Sequence, residues 1–406
     1  MKSKLTNLIY TFMGNATFSF IKWLILILIV RLTNTEQVGI YTFAIALTTP
    51  IVLLVNMRLR LRYVVEDNLS FVNLKYLRNI LNLISLVIIT IITLIFFKEY
   101  LVIVILVAAT KLLDLNSELY YGIYHKKSMF KNISLLMIVK SALVILSFGA
   151  VLIVTKNLVL SMIAQLIVQF IWLVLAEKKT QNFVDEGKKT SFNFNIIWGI
   201  FLAGIPLGIV QLLNSYNILI PRYVIEDKLS ITAIGIFAAI SYLLTIIDIF
   251  MNAISQNFIV SIKSKIKNNQ FSKLRKFILR DVLIASVVLG GVVVITSYLF
   301  GDKIINIIYG SGYADKSYIL TIVAISIIFN FQGWMYDTTL MALERYKIQL
   351  FASFITLLAS ITASLLLIPN YGLLGASLAI VVITFIQSTI KLVVIMSIMI
   401  KKGAVK

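Results

Sequence analysis

Residues 101–126 read LVIVILVAATKLLDLNSELYYGIYHK. Ten apolar or small residues run without a charge, then Lys111, Asp114 and Glu118 appear before the basic end at His125 and Lys126. A helix of about 20 mostly apolar residues spans the hydrocarbon of a bilayer. An ionisable group at its centre costs about 2.5–3.5 kcal/mol on insertion scales, so such groups face a bundle interior or a watery cavity. A lone spanning helix has neither. This segment therefore predicts neighbours on every side, in an all-α integral membrane bundle.

The rest of the chain supplies them. Apolar runs lie near 8–32, 39–57, 77–97, 100–124, 132–155, 158–176, 196–221, 231–258, 278–300, 314–338, 348–368 and 373–400, about twelve transmembrane helices in all. The composition agrees: 60% of the 406 residues are hydrophobic and 13% are charged, with a mean hydropathy of +0.98. A soluble domain is nearer half apolar and a quarter charged. The first apolar run continues to Val30 with no short h-region and cleavage site, and is expected to be the first helix of the mature protein. No connection is long enough for a soluble domain; the longest lie near 58–76, 177–195 and 259–277.

The net charge of +20 would suggest nucleic acid in a soluble protein, but here the basic residues sit in short loops between apolar runs. There they set topology and meet anionic headgroups, so membrane lipids are the expected partners and nucleic acid is not. The N-terminus, alternate loops and C-terminus hold 26 Lys and Arg, against 7 on the opposite side, where Arg31, Lys98, Arg222 and Lys228 are counted. The positive-inside rule places both termini in the cytoplasm. With no cysteine and a single histidine, His125, there is no thiolate or histidine set for catalysis or metal binding, and no cofactor is expected.

The 178–195 segment is expected to link an N-terminal six-helix bundle, 1–177, to a C-terminal one, 196–406. VGIYTFAIAL at 38–47 resembles IGIFAAISYL at 234–243, each at the start of the second helix of its half. That echo suggests parallel repeats with a site between the halves.

Lys111, Asp114 and Glu118 are spaced by three and then four residues, which predicts one shared helix face. They form either a self-neutralising structural cluster or part of a transport site. Lys22 lies mid-span in the first helix with Asn15 two turns away, and Lys140 lies in the fifth. Lys22, Lys111, Lys140 and Asn15 are the candidate substrate-binding residues, because cations at this depth suit an anionic substrate such as a diphosphate. Asp114, Glu118 and Asp248 are the candidate ion-coupling carboxylates. Asp337 and Lys391 lie near helix ends, where snorkelling explains them. Pro206 and Pro221, with Gly204 and Gly208, predict a kink or hinge in the seventh helix.

Several motifs then resemble a known family. TEQVGIYTFAIAL at 35–47 is similar to the opening of bacterial polysaccharide flippases. So are YYGIYHKKSMFKNIS at 120–134, NILIPRYVI at 217–225 followed by AIGIFAAISY, YGSGYADKSYILTI at 309–322 and IPNYGLLGASLA at 368–379. Their order along the chain resembles the Wzx-type O-antigen, capsule and exopolysaccharide repeat-unit flippases, in the superfamily that also holds multidrug and toxin extruders and lipid II flippases. The resemblance implies a V-shaped pair of six-helix bundles with alternating access in the bacterial inner membrane. It implies an undecaprenyl-diphosphate-linked oligosaccharide as substrate, coupling to H+ or Na+, a glycan polymerase as a candidate partner, and no enzymatic step. The rival readings are a small-molecule antiporter of the same fold and, further off, a membrane glycan polymerase or acyltransferase.

Overall fold

The computed structural model describes residues 2–66, 69–184, 193–245, 247, 251, 254–255, 258–343 and 346–403. Asp248 lies outside these described residues. Among them there is no strand, and ten helices are long and apolar enough to cross a membrane. The last of the ten, Gln349–Ile400, contains Gly372 at φ 59° and ψ −134°, which divides it into two passes. The shorter apolar helix Ile231–Tyr242 opens the eighth predicted run. The fold is thus all-α with about twelve spanning segments. The chain forms two compact units, Met1–Ser215 and Tyr216–Lys406.

Unit 1 comprises α1 (Lys2–Leu32), α2 (Thr35–Asn56), α3 (Leu59–Val65), α4 (Phe71–Phe96), α5 (Leu101–Lys126), α6 (Phe130–Thr155), α7 (Leu158–Trp172) and the first part of α8 (Phe194–Lys228). Side-chain amides set two of the starts. Asn34 accepts from the Gln37 amide at 2.8 Å, and Asn157 from that of Leu160 at 3.1 Å, each taking one of the amide hydrogens that a helix start leaves unpaired.

The α4 helix displays the solvent. Leu83, Ile84, Val87, Ile88, Ile91 and Ile95 are exposed, while Asn73, Arg78, Asn82 and Ser85 are buried. Apolar side chains outside and polar ones inside is the pattern of a helix whose solvent is lipid. By contrast α5 is packed by α2, α3, α4, α6 and α7, and only Val102 and Lys126, near its two ends, have exposed side chains. That enclosure is what lets it carry charge.

Two arginines assigned by sequence to the cytoplasmic loop near 58–76 have structural work. Met57 and Arg58 end α2 in left-handed conformation, φ 48° and 50°, and the segment continues as the short helix α3 rather than an open loop. Arg78, 1% exposed, donates to the carbonyls of Val55 and Asn56 at 3.1 Å each, satisfying the last turn of α2 and its negative dipole end. Arg62 grips Glu66 through two nitrogens, at 2.7 and 3.1 Å, and donates to the Ile200 carbonyl of α8 at 2.8 Å.

Pro206 and Pro221 do not interrupt α8, which runs as one helix. Its glycines serve packing. A Cβ on Gly208 would fall 2.2 Å from the Leu54 carbonyl oxygen, and one on Gly204 would fall 2.8 Å from the Met57 sulfur. This i, i+4 glycine pair lets α8 lie directly on the end of α2. The division between units consequently falls inside α8, whereas the 178–195 segment was the expected linker.

Unit 2 holds the rest of α8, α9 (Ile231–Tyr242), α10 (Ile259–Lys267), α11 (Phe271–Lys276), α12 (Leu283–Tyr309), α13 (Ser317–Ala342) and α14 (Tyr346–Gly403). The predicted loop near 259–277 is thus two short basic helices. The α13 helix is central here, touching α9, α10, α12 and α14. At the bend in α14 a Cβ on Gly375 would lie 2.0 Å from the Leu367 carbonyl oxygen, so the reversal beginning at Gly372 closes only on glycine.

Candidate functional site

A chain of alternating charges crosses unit 1. Asp114 of α5 takes the Lys22 ammonium of α1 at 3.1 Å and the Lys140 ammonium of α6 at 3.0 Å. Lys140 also lies 3.8 Å from Glu177 and donates to the Ser117 hydroxyl at 2.6 Å. Ser117 in turn donates to Glu177 at 2.5 Å, and the Tyr121 hydroxyl donates to the other Glu177 oxygen. Two cations and two carboxylates cancel. Burying an ion takes several kcal/mol, so a neutral, mutually paired set is the form in which such charges survive.

Exposure falls steadily along this chain. The side chains are 54% exposed at Lys22, 13% at Asp114, 2% at Lys140 and 0% at Glu177. The open end is therefore a cation and the closed end a carboxylate. The Lys22 ammonium also sits 4.0 Å over the Phe18 ring, a favourable cation–π position. Asn15 is exposed on the same helix, nearer its start.

Glu177 was missed by sequence reasoning, which ended the sixth span at residue 176 and left Glu177 at the start of the connection that follows. It closes a π-helical turn, Leu173–Glu177, that follows α7. The wider turn rotates Glu177 towards α5. A lone acid at the end of an apolar run gives no sign of this.

Lys111, Asp114 and Glu118 share one side of α5, yet their side chains meet different neighbours. Seven residues place Lys111 and Glu118 within about 20° of each other around the helix, but two turns apart, while Asp114 lies about 60° off. Asp114 accordingly turns to α1 and α6, and Lys111 turns to α2. There Lys111 donates to the Ile45 carbonyl at 3.0 Å and to the hydroxyls of Thr48 and Thr49 at 2.8 and 2.5 Å. Pro50 loosens that turn of α2 by lacking an N–H. Glu118 lines an open depression of about 180 Å³ with Arg58, Arg60 and His125.

Lys391 and Asp337 are not snorkelling side chains either. They pair at 2.7 Å between α14 and α13, with Lys391 buried. Arg222, counted above as an outer-loop charge, is buried inside α8, because that helix runs on to Lys228.

Comparison with known proteins gives concordant results. The family described as "Polysaccharide biosynthesis protein" matches residues 5–260. The capsular polysaccharide biosynthesis protein CapF of Staphylococcus aureus is 30% identical over 388 residues, 94% of this chain and 96% of that one. Among solved structures, an inward-facing MATE family multidrug resistance transporter of the MOP superfamily superposes with a TM-score of 0.72 at 14% identity, covering 97% of this chain and 96% of that one. The lipid II flippase MurJ in an inward closed conformation superposes with a TM-score of 0.73 at 12% identity, covering 95% and 87%. At such identities the likeness establishes the fold. The chain is a multi-pass membrane protein that belongs to the polysaccharide biosynthesis protein family.

Proposed function

We propose that the protein flips undecaprenyl-diphosphate-linked oligosaccharide repeat units from the cytoplasmic to the outer leaflet of the bacterial plasma membrane, by alternating access and driven by an ion gradient. Both termini face the cytoplasm in this reading, as the loop charges favour. No bond is made or broken, so the protein is a transporter and not an enzyme. The polyprenyl tail stays in lipid, and a glycan polymerase takes up the product outside.

The observation that supports this reading is the half-exposed Lys22 ammonium held 3.1 Å from Asp114. A lysine at mid-span cannot face hydrocarbon cheaply, so its open side meets water. A diphosphate and its sugars cannot cross hydrocarbon unaided, since each unpaired polar group costs several kcal/mol. Lys22 offers the diphosphate a charge-assisted partner. When the diphosphate draws Lys22 away, Asp114 loses one of its two cations. Uptake of a proton or Na+ at Asp114 restores neutrality, which couples substrate to ion. A drug extruder for cations would place a carboxylate at the open end of the chain instead.

The test is Lys22→Ala in cells that display the glycan, with protein level measured alongside. Glycan display is expected to fall at least tenfold. Normal display at normal protein level would remove Lys22 from the mechanism. Flipping in liposomes that persists after both proton and sodium gradients are collapsed would remove the coupling.

A further inference from the structure

Unit 2 contains a cavity, mostly apolar but with several convergent polar side chains, that the charge chain of unit 1 does not explain. It measures about 280 Å³, is largely enclosed, and lies among α8, α9, α13 and the second pass of α14. Two deeply buried polar residues of α8 line it. Asn217 is 1% exposed, and its Oδ1 and Nδ2 both lack a hydrogen-bond partner. Its backbone carbonyl is already taken by Ser360 at 3.0 Å. Arg222 is 6% exposed; one terminal nitrogen donates to the Tyr242 hydroxyl at 3.0 Å, and its Nε has no partner. More than nine in ten buried polar groups in native proteins are paired. These three unpaired atoms belong to two residues that line one cavity, a reserve of hydrogen-bonding capacity that a ligand entering it would satisfy.

Thr245, Asn330 and Gln387 add hydroxyl and amide groups to the lining, and three other hydroxyls narrow its chemistry. Ser241, Ser326 and Thr384 each give their hydroxyl proton to a carbonyl of their own helix, at 3.2, 2.6 and 2.9 Å. Their oxygens then face a ligand as acceptors only. Asn217 Oδ1 is a fourth acceptor. A ligand that suits them carries several hydroxyl donors. Asn217 Nδ2 and Arg222 Nε are donors, one of them cationic, and they suit an anionic oxygen. No carboxylate lines the cavity among the described residues, so a cation finds no counter-ion there. The volume lies at the lower edge of the range for small-molecule sites, room for one ring rather than a chain.

We propose that this cavity binds a single sugar ring bearing an anionic group, either a carboxylate on the ring or a phosphate attached to it, within the transported glycan. The inference rests on the flippase reading for its source of sugar, but its residues are separate from Lys22 and Asp114.

Equilibrium binding to the purified full-length protein in detergent tests it, with glucuronate, glucose 1-phosphate, glucose and inorganic pyrophosphate as probes. At least one of the two anionic sugars should bind about tenfold or more tightly than glucose, and which one does so names the source of the charge. Arg222→Gln should erase that preference and leave glucose binding in place. Thr384→Val, which keeps shape and removes one acceptor, should weaken every sugar about fivefold and guards against an Arg222 variant that fails to fold. Equal binding of glucose and the anionic sugars, no sugar binding at roughly millimolar concentration, or pyrophosphate displacing a bound anionic sugar better than glucose does would each overturn the proposal. An export-competent protein that binds no sugar here sinks this inference alone. Sugar binding by a protein that exports nothing sinks the flippase reading alone.

Discussion

The helices α5 and α13 occupy like positions, each enclosed by the other helices of its own unit, yet they carry charge differently. In α5 a carboxylate is shared between two lysines from two other helices, and a second carboxylate shares one of those lysines. In α13 a single carboxylate meets a single lysine. In the same unit Arg222 is matched with an aromatic hydroxyl and not an acid. A shared charge can be passed along without leaving any member unpaired for long. An isolated pair can only be made or broken. The difference favours unit 1 as the place where ion and substrate are exchanged, and unit 2 as a place where a ligand is recognised.

That contrast can be broken first at its most buried cation. Lys140→Met leaves Asp114 and Glu177 short of a partner in an enclosed setting, and is expected to lower stability by about 3–5 kcal/mol in detergent denaturation. Adding Glu177→Gln should recover part of the loss, because the two sites act on one chain of contacts. Full loss with no recovery would mean the chain is not coupled.

Lys391→Met is the matching change in unit 2. Its partner Asp337 is 29% exposed and keeps access to other donors, so the expected cost in the same assay is smaller, about 1–3 kcal/mol. A cost equal to that of Lys140→Met would erase the contrast between the two central helices.

Glycine sharpens it on steric grounds. Gly208→Ala in unit 1 drives a methyl into the Leu54 carbonyl and should cost about 1–3 kcal/mol. Gly291→Ala in unit 2, where a Cβ meets nothing within 4 Å, should be neutral or stabilise by up to about 1 kcal/mol. Thermal midpoints of the two variants, measured side by side, decide this.

The smallest stability effect belongs to the residue with the largest expected effect on export. Lys22→Ala removes an exposed partner from Asp114 while Lys140 remains, so it should change stability by no more than about 0.5 kcal/mol. A large loss would recast Lys22 as a structural residue.

The helices were readable because lipid imposes length and composition on any span, and the alternation of loop charge followed from the same physics. Asp114, Lys22 and Lys140 could be singled out one by one from their depth. Their grouping could not. Periodicity shows which residues share a face of one helix, but it does not show which neighbouring helix that face meets. Lys111 was grouped with Asp114 on spacing, yet α2 offered it three oxygens. Arg222 was read as a loop residue because the apolar run ended at Pro221, although a proline deep in a membrane helix does not have to end it. The buried cavity around Asn217 left no trace in hydropathy, since amides and hydroxyls scattered one per turn barely shift an average.

The π turn at Leu173–Glu177 has a consequence for relatives of this chain. A π turn accommodates one residue more than an α turn, so it resets the angular phase of everything after it by about 100°. Had the same residues formed a plain α turn, Glu177 would lie about 100° away, out of register with the Tyr121 and Ser117 hydroxyls that hold it. A relative with one residue fewer between Trp172 and Lys178 would form a plain helix and keep its acid in register. A one-residue gap in an alignment at this point marks loss of the π turn and not loss of the closed end.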